Sequence, residues 1–291
     1  MGKMAVIESL EATFSREVEW VETHLGEMLA DWPPIPDPGF EKLKESVTYS
    51  LMSGGKRFRP VLSLLTAEAL QLPKARALPW GCALEMIHTY SLIHDDLPLM
   101  DNDDYRRGKP TNHKVFGEAM ALLAGDALLT EAFYWIARSY AAEPTLLSSL
   151  TLMLSRSAGL RGMVAGQALD IEPHPQLDPS GVERLHRLKT GALIEASVQG
   201  VALIAQSEEP IQEALKTYSQ SLGLAFQVAD DLLDYDVDNP EPVSLVGVMG
   251  VRESRAFLEK LVDESLRSLK KLPGPTDSLQ QLALFNLTRV K

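Results

Sequence analysis

The chain reads as an all-α protein, a helical bundle. Nearly every segment repeats its apolar residues at helical spacing, no alternating strand pattern competes, and no linker divides the 291 residues. With 45% hydrophobic content, the chain can bury a large core, and residues 1–291 are expected to form a single domain although the length would permit two.

The elements follow in order. Val6, Leu10, Phe14, Val18, Val21, Leu25 and Leu29 give residues 4–31 one apolar face, closed by the breaker Asp31-Trp32-Pro33-Pro34-Ile35-Pro36-Asp37-Pro38. Helices are predicted next over 39–53 and over 60–72, the latter opening on Pro60, which suits a first helical position. Longer runs cover 75–99, 115–142, 144–170, 178–206, 209–236, 250–272 and 276–289. No repeat of fixed period is present, but an aspartate cluster recurs near the ends of the 75–99 and 209–236 helices. In a bundle, metal and cofactor sites are built from side chains on facing helices, so two acidic helix ends can serve one cavity.

The clusters are Asp95-Asp96-Leu97-Pro98-Leu99-Met100-Asp101 and Asp230-Asp231-Leu232-Leu233-Asp234. Gln227, Asp230, Asp231 and Asp234 fall at i, i+3, i+4 and i+7, one polar stripe along a helix. One such run alone is usually a solvated face. Two runs, each flanked by apolar residues, point to metal binding. Converging carboxylates repel one another unless cations intervene, and all-oxygen ligation selects hard ions such as Mg²⁺. The ligand that follows is a metal-bridged polyphosphate.

Cations are concentrated too. Gly54-Gly55-Lys56-Arg57-Phe58-Arg59-Pro60 sets three of them before a helix N-terminus, where free N–H groups also favour an anion. Arg106-Arg107-Gly108-Lys109-Pro110 follows the first acidic cluster, and Lys189-Thr190-Gly191 lies on or beside a later helix. Arg suits bidentate phosphate contact, whereas Lys acts as a mobile point charge. His88 precedes Asp95 by two helical turns and is expected to face the same cavity, although taken alone it reads as a core histidine. Asp126 reads as a buried structural partner, Gln167 and Asp170 are ambiguous, and Met86, Met100 and Met120 read as core.

The net charge of −12 disfavours a nucleic-acid partner. The single cysteine, Cys82, excludes an internal disulfide and fits a reducing compartment. No stretch approaches the roughly 18 apolar residues of a membrane span, and the N-terminus lacks a signal-peptide core, so a cytoplasmic protein is expected.

Four motifs together resemble the trans-type (E) isoprenyl diphosphate synthases: Gly54 to Pro60, Glu85-Met86-Ile87-His88-Thr89-Tyr90-Ser91-Leu92-Ile93-His94-Asp95-Asp96, Asp101-Asn102-Asp103-Asp104-Tyr105-Arg106-Arg107-Gly108-Lys109-Pro110-Thr111, and Phe226-Gln227-Val228-Ala229-Asp230-Asp231-Leu232-Leu233-Asp234. The resemblance runs in order from about residue 40 to 236. It implies an all-α bundle around a central cavity, a homodimer, and condensation of isopentenyl diphosphate with an allylic diphosphate. It also implies Mg²⁺, three ions with the allylic diphosphate bound, held by Asp95, Asp96 and Asp101 on one side and by Asp230, helped by Asp231 and Asp234, on the other. Arg106, Lys189, Thr190 and Gln227 would contact the allylic substrate, and Lys56, Arg59, His88 and Arg107 the isopentenyl diphosphate.

By the same resemblance, an aromatic residue five positions before the first aspartate marks short products; here it is Tyr90, which favours C15 farnesyl diphosphate over C20 geranylgeranyl diphosphate. Helical spacing puts Ser91, rather than Tyr90, most nearly beneath Asp95. One departure stands out. The segment Tyr235-Asp236-Val237-Asp238-Asn239-Pro240-Glu241-Pro242-Val243-Ser244 has no lysine where the family carries a diphosphate-binding one. Losing such a cation weakens allylic binding by on the order of 1.5–3 kcal/mol. Arg252 or Arg255 is the expected substitute, and a silent partner subunit is the alternative. A terpene cyclase is disfavoured by the form of the second aspartate motif.

Overall fold

In the computed structural model, residues 10–172, 178–236 and 243–290 are described. The start of the predicted 4–31 helix and residues 237–242 of the lysine-free segment lie outside these residues. The protein is all-α. Its elements are α1 (Leu10–Thr13), α2 (Ser15–Ala30), α3 (Pro38–Leu51), α4 (Phe58–Ala69), α5 (Lys74–Asp95), the strands β1 (Tyr105–Arg106) and β2 (Lys109–Pro110), α6 (Asn112–Phe116), α7 (Glu118–Ser139), α8 (Pro144–Ala158) and α9 (Met163–Ile171). There follow α10 (Pro179–His186), a π-helical turn (Arg187–Gly191), α11 (Ala192–Ile204), α12 (Glu209–Asp234), α13 (Leu245–Met249), α14 (Val251–Ser268), a 3₁₀ turn (Leu269–Lys271) and α15 (Asp277–Arg289).

Local chemistry fixes several starts. Asp37 caps α3 by accepting from Gly39 N–H at 2.8 Å, with Pro38 as first residue. Asp178 and Pro179 repeat the device at α10, with Gly181 N–H at 2.8 Å, and the Ser244 hydroxyl caps α13 through Gly247 N–H at 3.0 Å. Several predicted spans differ. The 4–31 run is interrupted at Phe14 between α1 and α2, and 115–142 at Gly117 between α6 and α7. The 144–170 run is broken between α8 and α9 around Gly159 and Gly162, and 178–206 is interrupted by the π turn. The 75–99 helix stops at Asp95, because the chain turns back and Asp101 N–H donates to Asp95 C=O at 2.9 Å.

The contacts divide the chain into two compact units, one of Ser9–Leu64 and Ala77–Thr151, the other of Leu65–Arg76 and Leu152–Lys291. In the first, α5 is buried almost all round (Trp80, Cys82, Leu84, Met86, Ile87, Tyr90, Ile93), as expected of a central helix. Helix α7 meets it where Gly125 lies against His94, α3 packs on α6 and α7, and Trp32 Nε1 donates to Glu131 on α7 at 3.2 Å. In the second, α12 is central and packs on α11, α14 and α15. Leu215, Leu222, Leu224 and Val228 meet no solvent to speak of, and Tyr218 O–H donates to Leu279 C=O at 2.8 Å.

The expectation that no segment approaches a membrane span needs correction. Helix α7 is long and apolar enough by length and composition, although 39% of its most apolar window is buried within the structure. Ala121, Ala124, Leu128, Ala132 and Ile136 face inward, while Leu122, Leu123 and Tyr134 are exposed. Asp126, expected to be buried, lies on that outer side with its carboxylate 59% exposed and 3.9 Å from His94.

Candidate active site

In the first unit, the site is built on α5 and the two loops that meet it. Gly54, Gly55 and Arg57 all take positive φ, which turns the chain sharply ahead of α4. Arg57 is not a ligand-facing cation. Its guanidinium is buried, donating to Glu22 at 2.6 Å, to Glu85 at 3.0 Å and to the carbonyl of Leu51 at 2.6 Å. The clamp leaves Lys56 exposed and Arg59 half-buried on either side of it, with Arg59 Nε making no hydrogen bond. Arg107 lies against Gly55, where an added Cβ would stand 2.5 Å from its guanidinium carbon, and donates to the carbonyl of Gly54.

His88 sits among these cations. Burial first, then Arg59, Arg107, Arg106 and Arg57, hold its pKa well below the ordinary histidine value, so the ring is neutral. Burial also lowers Arg59 to about 10 and, to a smaller extent, Arg107, each opposed by Glu85. This crowding of positive charge around a neutral imidazole makes an anion the complementary ligand.

Asp96 is buried, and Arg106 Nε donates to its Oδ1 at 2.6 Å. Burial raises the Asp96 pKa despite that partner. Arg106 also reaches Asp103 at 3.2 Å. Asp95 is half-buried at the end of α5 and Asp101 is exposed on the turn that folds back to it. Arg106, Arg107, Asp96, Thr89, Thr111 and Asn112 contribute to a pocket of about 390 Å³ including its mouth. Tyr90 is buried, edge-on to His94 with centroids 5.7 Å apart, and its phenol is pushed up to about 12, by burial first and by Asp95 second. The Ser91 hydroxyl is turned away to the His88 carbonyl, 2.9 Å distant.

In the second unit, the π turn sets Lys189 and Thr190. Lys189 pairs with Asp170 of α9, which settles the ambiguous Asp170 as a partner. Thr190 O–H donates to Gln227 Oε1 at 3.0 Å, and Gln227 Nε2 reaches Asp230 at 3.4 Å. Gly166 of α9 allows this: a Cβ there would stand 2.2 Å from Lys189 N. Asp230 is paired with Arg289. Asp231 Oδ2 accepts the N–H of Leu245 at 2.7 Å and lies 3.1 Å from His186 Nε2, tying α10, α12 and α13 together, while Asp234 is exposed.

Among the described residues no three His, Cys, Asp or Glu side chains converge as a ready metal cage. The donors nevertheless fit Mg²⁺, which keeps waters and is held through one or two carboxylates plus substrate phosphates. All the candidate donors are carboxylate oxygens, and Asp96 and Asp230 each already neutralise a guanidinium.

Several of these residues carried no readable signal. The Arg57–Glu85–Glu22 clamp joins positions far apart in sequence, and Arg289 lies on the last helix, remote from either aspartate motif. Of the two expected substitute cations, Arg255 donates to the carbonyl of Val290 at 2.8 Å, and Arg252 is 93% exposed beside Glu253.

Comparison with known proteins places the chain in a family. A farnesyl diphosphate synthase from Micrococcus luteus is 42% identical over 267 residues, covering 87% of this chain and 91% of its own. A geranylgeranyl diphosphate synthase from Cyanophora paradoxa is 47% identical over 271 residues, covering 88% and 90%. The crystal structure of an FPP/GFPP synthase from Zymomonas mobilis superposes with a TM-score of 0.86 at 36% identity, covering 94% of this chain and 97% of that one. Residues 40–241 match the polyprenyl synthetase family, and the chain belongs to it.

Proposed function

We propose that this protein is a short-chain trans-prenyltransferase that joins isopentenyl diphosphate to dimethylallyl and then geranyl diphosphate, giving farnesyl diphosphate and releasing diphosphate. The observation that carries the reading is the neutral His88 set among Arg59, Arg106 and Arg107. In this reading Lys56, Arg59, His88 and Arg107 bind the isopentenyl diphosphate. Arg106, Lys189, Thr190 and Gln227 bind the allylic one. Asp95, Asp96, Asp101 and Asp230 are the direct oxygen donors for Mg²⁺. Asp231, with Oδ2 already engaged, and Asp234 support them.

Bound Mg²⁺ supplies positive charge to the departing diphosphate, which lowers the barrier to ionisation. The chain's own contribution is placement. Arg106 and Lys189, paired with Asp96 and Asp170 in the ligand-free protein, would lie on the bound allylic diphosphate and stabilise the charge that develops on the leaving oxygens as the C–O bond breaks. The isopentenyl π bond, held by the His88 cluster, attacks the allylic carbon and forms the new C–C bond. Released diphosphate takes the proton that restores the alkene. No nucleophilic Ser or Cys takes part, and Cys82 is buried with its thiol pKa raised by burial.

Buried Tyr90, near the start of the aspartate run, favours stopping at C15. Geranylgeranyl diphosphate is the second reading, supported by the similarity to the Cyanophora paradoxa enzyme. Residues 1–291 would act as one catalytic domain in a cytoplasmic homodimer, with the exposed Leu122, Leu123 and Tyr134 of α7 as apolar surface for the second copy. The test is incubation with isopentenyl diphosphate, each allylic diphosphate and Mg²⁺, then sizing of the dephosphorylated products. A main C15 product supports the proposal and C20 moves it to the second reading. No product beside an active control enzyme overturns it in favour of a silent subunit.

A further inference from the structure

The second aspartate cluster already holds a cation. Arg289, from the last turn of α15, is ion-paired with Asp230 on α12. Its side chain is only 12% exposed, against 30% for Asp230. The guanidinium stacks over Phe226, one turn before Asp230, at 4.8 Å from the ring centroid and over Phe285 at 5.6 Å. Arg255 pins the same end of α15 by donating to the Val290 carbonyl at 2.8 Å. Position is therefore fixed by packing as well as by charge. The fit is incomplete: Arg289 Nη1 is buried and donates to nothing, so the pair falls short of a fully satisfied one and is easier to open.

We infer that Arg289 is a resident counter-ion of the metal site, neutralising Asp230 in the metal-free protein and yielding it when a divalent cation binds. The inference rests on the reading of Asp230 as a metal ligand. The Arg289 guanidinium takes Oδ1 of Asp230, so a metal ion competes with it for that oxygen and is repelled by its charge; each then weakens the other's hold by the same factor. The device offsets the charge of Asp230 beside Asp231 and Asp234. It also raises the threshold at which metal alone occupies the site.

A purely structural clamp makes the opposite prediction. Breaking a clamp between α15 and α12 loosens the site and weakens metal binding, whereas removing a competitor tightens it. Mn²⁺ binding to the full-length protein, followed by electron paramagnetic resonance without substrate, separates the two. Arg289→Gln should bind Mn²⁺ about 1.5- to fivefold more tightly, the gain expected when a partly exposed ion pair no longer has to be opened. Asp230→Asn should bind it more weakly. Unchanged or weaker binding by Arg289→Gln, with Asp230→Asn weakened, overturns the counter-ion role and leaves the metal site standing. No effect of Asp230→Asn takes down the metal reading and the inference together. Should Arg289→Gln fail to fold, amide hydrogen exchange on the unaltered protein decides: saturating Mn²⁺ should speed exchange over residues 285–290, and unchanged or slower exchange there overturns the inference.

Discussion

Arg57 Nη1 donates to Glu85 Oε1 at 3.0 Å with both side chains sealed from solvent. The pair joins the turn that carries Lys56 and Arg59 to the central helix that carries His88, so the proposed diphosphate corner is held by charges that never meet the ligand. Arg57→Met leaves Glu85 buried without its cation. It should cost about 3–5 kcal/mol, the range for breaking a buried ion pair from one side. Urea unfolding measures this directly. At temperatures where the variant stays folded, the isopentenyl KM should rise more than kcat falls.

His88 gives the protein an acid-side weakness. Its imidazole is neutral in the fold and titrates near 6.5 once unfolded, so on acidification the unfolded chain takes up the proton first. Stability from this residue is therefore whole above about pH 6.5 and is lost as pH falls towards the lowered folded value. His88→Gln should flatten that part of the stability profile between pH 7.5 and 5.5, measured by denaturant midpoints. A bound diphosphate offsets the four arginines, so binding should draw in protons. Calorimetry in buffers of different ionisation enthalpy reads that uptake.

Gly166 is where α9 crosses the π turn at backbone distance. Gly166→Ala forces apart α9 and the segment bearing Lys189, and overpacking of this sort costs about 1–3 kcal/mol. Because Lys189 and Thr190 ride on the displaced backbone, the KM for the allylic diphosphate should increase as well. Gly26, inside α2 where an added Cβ meets nothing within 4 Å, is the control: Gly26→Ala should leave the KM unchanged and raise stability by about 0.5–1 kcal/mol.

Tyr90 tests the ruler. Tyr90→Ser removes a buried ring and opens space below the aspartates, so products should lengthen from C15 towards C20 and beyond, with the rate of the first condensation little altered. Chromatography of the dephosphorylated products gives the result. A wild-type C15 pattern in the variant would show that the stop lies elsewhere.

The all-α class was readable because 3.6-residue periodicity is a property of each segment alone, and α3 and α12 match their predicted spans to within a few residues. The polar stripe from Gln227 to Asp234 was readable for the same reason. The end of α5 was legible too, in Pro98, which pushes the residue before it out of the helical region; the predicted span ran past it, and the turn closed by Asp101 N–H on Asp95 C=O shows the stop. Arg57 looked in sequence like one cation of three; only burial against Glu22 and Glu85 distinguishes it from Lys56 and Arg59. Arg289 had no local signal at all. Its pairing with Asp230 spans 59 positions, and no spacing rule reaches that far.

The π turn from Arg187 to Gly191 carries one more consequence. A π turn holds one residue more than the α-helical turn it replaces, so loss of a single uncharged residue there would restore regular helix with α10 and α11 still in phase, and would turn the residues of the turn itself to new directions about the axis. Thr190 could then no longer meet Gln227, nor Lys189 Asp170, although every charged residue would remain in the sequence. The site is thus encoded partly by length. A one-codon deletion is a route to a folded protein of the same composition and charge balance in which two ligand-binding side chains point the wrong way.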